Sequence, residues 1–143
     1  MAQHQAGDGI SLMRRRSGDE IRSAGALDGG DIGRHNGLTE LLALPTRQQL
    51  LGLRRGFTPP DQWTARLQLF ALPEPGGAPV QPIIGWDLLE AGLPPDNWEA
   101  IALGPVLSDG RHTLVLASDD NFNPLQSNWI VVLSPRRTTA CTD

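Results

Sequence analysis

Five side chains with oxygen donors sit where position or spacing could gather them: Glu40, Glu99 and the run Asp119-Asp120-Asn121. Glu40 and Glu99 fall at matching places in two copies of one pattern, 59 residues apart, so they are expected to point alike in adjacent structural units. If both face a shared channel, their carboxylates converge. Hard oxygen ligands of this kind suit Ca²⁺, which takes about six to eight oxygens at roughly 2.3–2.6 Å. Glu40, Glu99, Asp119 and Asp120 are therefore the candidate metal ligands. A cation held there could bind a phosphate ester, polarise its oxygens and leave water to attack. Arg54 and Arg55 are then candidate phosphate clamps, through bidentate hydrogen bonds. The same residues also have a purely structural reading. A Glu at a strand start can cap backbone N–H groups or brace the next unit, and Asp119-Asp120-Asn121 can close an Asx-type turn. Two adjacent arginines can simply be solvated surface residues.

Other chemistry has less support. No Gly-x-Ser-x-Gly elbow is present for a serine nucleophile. Ser118 and His112 lie at opposite ends of one apolar run, roughly 20 Å apart if that run is a strand, which is too far to pair. His4 and His35 fall in an unpatterned region, and the three histidines fit no metal-ligand spacing. The single cysteine, Cys141, excludes a disulfide framework and a cysteine-based zinc site, and reads as a free thiol in the tail. Trp63, Trp86, Trp98 and Trp129 could form a carbohydrate platform, but in or beside strands their large apolar area favours packing between units. The net charge of −4, with all 12 basic residues arginine, gives no reason to expect nucleic acid.

The elements that must position these groups follow from punctuation and repetition. Of 143 residues, 28 are Gly or Pro, about a fifth, against an average near an eighth, which argues for many short elements joined by turns. Asn36–Pro45 matches Asp96–Pro105, setting Glu40 on Glu99, Leu42 on Ile101 and Leu44 on Leu103. Downstream, Leu50–Leu53 corresponds to Thr113–Ala117, and Arg54-Arg55-Gly56-Phe57 to Asp119-Asp120-Asn121-Phe122. A Pro-containing loop with a Trp follows in both copies, and each closes on an alternating run, Ala65–Leu72 and Asn128–Leu133. Runs of this length bounded by Gly, Pro, Asn or Asp read as strands. One amphipathic helix over Leu38–Leu53 is the rival, but Pro45 would cost it about 3 kcal/mol, and Gly104-Pro105 interrupts the second copy at the same point. Asp109-Gly110 suits a two-residue hairpin turn. Pro82–Leu88 reads as a fourth, outer strand leading into a turn of helix over Leu89–Gly92. Residues 1–35 read as mostly irregular, with one weak strand around Ile10–Met13; no apolar stretch follows Arg14-Arg15-Arg16, so no signal peptide or membrane segment is visible there. Four short strands per repeat of this size predict an all-β fold, a partial β-propeller of about two four-stranded antiparallel blades.

The run Asn97-Trp98-Glu99-Ala100-Ile101-Ala102-Leu103-Gly104-Pro105, then Asp109-Gly110-Arg111, then Leu114-Val115-Leu116-Ala117-Ser118-Asp119-Asp120-Asn121-Phe122 resembles the phytase-like domain, also called the "esterase-like activity of phytase" family. The resemblance is strongest over 96–133 and reaches back to about 36. It implies a propeller longer than this chain, so that residues 36–135 correspond to its C-terminal part, between an irregular segment 1–35 and a tail 136–143. It also implies kinship with calcium-dependent, metal-assisted phosphoester or ester hydrolases, with a small phosphate or ester as substrate. Two blades would be an incomplete site, expected to be inactive alone or to associate with other chains through open blade edges. The alternative is a non-enzymatic propeller fragment acting in binding or assembly. Any export signal of a complete relative would lie in the part expected to be missing.

Overall fold

The computed structural model describes residues 10–14, 21–28, 36–44 and 47–136. His4, His35, Cys141, Arg15, Arg16, Pro45 and residues 137–143 lie outside them. Among the described residues there is no helix; nine strands form three antiparallel sheets, none of them closed. The first sheet pairs β1 (Ile10–Arg14) with β2 (Arg22–Leu27). The second has the order β3 (Gly37–Leu44), β4 (Gln49–Thr58), β5 (Gln62–Ala71), β6 (Ile84–Asp87). The third runs β7 (Trp98–Val106), β8 (His112–Ser118), β9 (Ile130–Leu133).

Leu38–Leu53 is two strands and not one helix, as the interruption at Pro45 requires. The outer strand expected within Pro82–Leu88 is β6, on the far edge of the second sheet. Four expectations are corrected. The segment 1–35 holds a second strand, β2, besides the one expected near Ile10; its Ala- and Gly-rich sequence carries little strand signal of its own. The turn of helix expected over Leu89–Gly92 is a turn only: Asp87 Oδ1 accepts from the N–H groups of Leu89 and Glu90, and Gly92, at φ +98°, ends it. Asp109-Gly110 does not form a two-residue loop. Gly110 alone takes positive φ and donates to Leu107 O, and Leu107 in turn pairs with Arg111 O, which gives a longer loop with a bulge. Hydrogen bonds from Arg111 to Asp109 hold that loop and raise the arginine further above its ordinary pKa. Finally, the third sheet has three strands where the repeat led to an expectation of four.

The second sheet is sandwiched. On one face, Leu41, Leu50 and Phe70 pack with Ile10, Leu12, Leu27 and Val80 from the first sheet and its flank. On the other, Leu42, Leu51, Leu53, Ala65, Leu67 and Leu69 pack against Trp98, Ile101, Leu114, Leu116, Val131 and Leu133 of the third sheet. Leu88 and Leu93, on either side of the Asp87-capped turn, fill the same core. The strands β3 and β7 contact each other and start at the same end of the stack: Thr39 Oγ1 donates to both Leu53 O and Trp98 O.

Both first strands carry a β-bulge, between Leu38 and Glu40 in β3 and between Trp98 and Ala100 in β7. Aligning the bulges sets Thr39 on Glu99 and Glu40 on Ala100, one residue away from the hydrophobic match of Glu40 with Glu99. Because strand side chains alternate, that single residue reverses the facing of everything beyond it. In this alignment Leu41 and Leu50, which face the first sheet, correspond to Ile101 and Leu114, which face the second. The second sheet thus meets the third with the face opposite to the one by which the third meets it, a head-to-tail order.

Candidate functional site

The polar residues of interest collect at the end of the stack where β3 and β7 begin. There β4 outruns its counterpart β8. Arg54-Arg55-Gly56-Phe57 stays in strand, paired with Thr64, Ala65, Arg66 and Trp63 of β5, while Asp119–Phe122 leaves the sheet as a turn. The longer hairpin is capped by Phe57 against Trp63, ring centroids 4.6 Å apart. Arg55 lies on the face toward the third sheet, and its Nη2 donates to Glu99 Oε1 at 3.0 Å. Asn97 Nδ2 donates to the same oxygen at 2.8 Å. The bulge in β7 is what aims Glu99 at this pair. Asn97 is almost wholly buried, and its carbonyl accepts from Asp119 N, which ties the end of β8 to the start of β7. Its own Oδ1, and Arg55 Nε, are buried without a hydrogen-bond partner.

The other candidates are placed apart. Glu40 is exposed on β3, where its Oε1 accepts from the N–H of Leu41. It does not join Glu99, because the two bulges are offset by one residue relative to the two acids. Arg54 is not a surface residue: it is 6% exposed, on the face toward the first sheet, and donates to Asn36 Oδ1 at 2.6 Å. Adjacent residues of a strand point to opposite faces, so Arg54 and Arg55 cannot clamp one phosphate together. Asp119 Oδ1 accepts from Asn121 N, Asp120 Oδ1 from Phe122 N, and Asp120 Oδ2 from Asn128 Nδ2. This is the Asx-type turn, with Asn121 and Phe122 at positive φ.

A calcium ion would need many free oxygens on one centre. Among the described residues no group of three or more His, Cys, Asp or Glu side chains could hold a metal ion. Glu99 Oε1 already accepts from two donors, and Asp119 and Asp120 are bound to their own turn. As placed, these residues do not fit the ion. Ser118 is no nucleophile here either. Its hydroxyl donates to Ser127 O and accepts from Trp129 N, and His112 stands at the other end of β8.

One polar centre had no signal in the spacing of residues. Asp96 is 5% exposed and accepts from Asn97 N (2.8 Å), Ser127 N (3.0 Å) and Trp129 Nε1 (3.1 Å). It joins the entry to β7 to the entry to β9. Of the tryptophans, Trp98 alone is wholly buried, with Nε1 donating to Pro94 O, while Trp86 and Trp129 are 45% and 43% exposed.

The arrangement can brace two sheets with an ion pair that is partly open to water. Such pairs contribute little, so Glu99→Gln is expected to cost less than about 1 kcal/mol in urea unfolding.

A family model described as Phytase-like, esterase-like activity of phytase, matches residues 17–122. The match begins inside the segment 1–35 that the residue motifs had left out. No curated protein matches the chain, and no solved structure does.

Proposed function

We propose, from the premise that this chain belongs to the phytase-like family, that its sheets are successive propeller-type blades serving as scaffold and assembly elements, without a hydrolytic centre of their own. The observation that carries this reading is the dispersal of the four acids expected to converge. Glu40 faces solvent, Glu99 braces Arg55, and Asp119 and Asp120 close a turn. The head-to-tail order of the second and third sheets supports the blade reading, since rotation about a central axis relates blades in that way. The metal-assisted phosphoester or ester hydrolysis suggested by the family is the second reading. What favours it is the meeting of Arg55, Asn97, Glu99 and the Asp119 backbone at one end of the stack.

Turnover separates the two. Purified chain, supplied with excess Ca²⁺, is expected to hydrolyse neither phytate nor a generic aryl phosphate or carboxylic ester above the buffer rate. Calcium-dependent turnover that is lost in Glu99→Gln or Asp120→Asn would overturn the scaffold reading.

A further inference from the structure

We infer that a second copy of this chain docks head to tail on the outer face of the third sheet, so that two copies close a ring of six sheets. The inference rests on the blade reading above. In the bulge alignment, the face of the second sheet covered by the third (Leu42, Leu51, Leu53) corresponds to Ala102, Val115 and Ala117. Their strand partners in β9 are Val132 and Ile130. This outer face is apolar and open: Ile130 is 77% exposed and Val132 59%. An equivalent face inside the chain is buried by a following sheet, so the occupant that fits is the leading sheet of another such stack.

The far end of the stack offers that sheet. In β1, Leu12 packs toward the second sheet, so Met13 points away from it and is 62% exposed; Ile21, just before β2, is 60% exposed. The three sheets of the described residues give six for two copies, within the range of about four to eight blades that close a ring. A head-to-tail contact that closes on itself yields a finite two-fold assembly.

Sedimentation equilibrium of the full chain from about 1 to 100 μM tests it, a range that brackets micromolar dissociation constants. The expected species is a dimer of twice 15.4 kDa. Val132→Asp on one face, and Met13→Asp or Ile21→Asp on the other, should each weaken it by at least about tenfold, with unchanged circular dichroism because all three side chains are exposed. Mixing Val132→Asp with Met13→Asp chains should restore part of the association, since one of the two contacts is then intact. A monomer at the highest concentration, an open series of larger assemblies, or a dimer indifferent to both Met13→Asp and Ile21→Asp would overturn the inference. The last result would indicate face-to-face pairing of third sheets. None of these outcomes depends on turnover, so this inference and the absence of a hydrolytic centre can fail separately.

Discussion

Replacing Trp98 by alanine is expected to destabilise the chain by about 3–5 kcal/mol, the largest single loss in the molecule. Trp98 is wholly buried in the core between the second and third sheets. It is the largest side chain of a cluster that also holds Leu53, Ala65, Leu88 and Leu93, and its Nε1 donates to Pro94 O at 3.0 Å. Truncation would lose the transfer free energy of the ring, leave a cavity at the sheet junction and orphan that carbonyl. For a chain of this size the midpoint of thermal unfolding should fall by roughly 6–20 °C. Trp98→Phe keeps most of the volume and loses the donor, so it should recover more than half of the deficit. A fall of less than about 1 kcal/mol in Trp98→Ala would mean that the two sheets do not share this core.

Asp96→Ala is expected to cost about 3 kcal/mol, by a different mechanism. The buried carboxylate is the common acceptor for three donors from two loops distant in sequence. Hydrogen bonds to a charged group are worth about 1.5–3 kcal/mol each, but Ser127 and Trp129 are partly exposed and can turn to water, which lowers the total. Denaturant unfolding should show the loss directly. Amide exchange should quicken first at Ser127 and Trp129, because β9 is attached to the sheet only through β8 and this carboxylate braces its entry. Asp96→Asn, which keeps one oxygen acceptor, should fall between wild type and alanine.

The strands were legible in the sequence because their signals are local. Apolar runs bounded by Gly, Pro and Asp marked β3 to β5 and β7 to β9, and Pro82–Leu88 announced β6. The hairpin of β1 and β2 was half missed, since Arg22–Leu27 has only Leu27 as a large apolar residue and depends on packing against Leu50 and Phe70. The candidate site was less legible for one physical reason. The hydrophobic match of Leu42 with Ile101 set Glu40 on Glu99, but the register carries a bulge at Thr39 in one strand and at Glu99 in the other. An offset of one residue moves a side chain to the other face of a sheet, and apolar patterning cannot show a bulge. Arg54 and Arg55 were read as a pair for the same reason: adjacency in sequence is opposition across a strand. Asp96 was invisible because two of its three donors come from Ser127 and Trp129, brought near only by the third sheet.

If the acids belong to the scaffold, calcium should not stabilise the fold. Any ligand that binds the folded chain raises its apparent stability in proportion to the logarithm of its concentration. Thermal unfolding of the purified protein, followed across a titration from zero to millimolar Ca²⁺ alongside a magnesium control, reads this without assuming a substrate. The expected result is no calcium-specific shift in midpoint, in wild type, Glu99→Gln or Asp120→Asn alike. A saturable, calcium-specific rise in wild type that disappears in Glu99→Gln and Asp120→Asn would contradict the central claim that these carboxylates hold sheets and turns together.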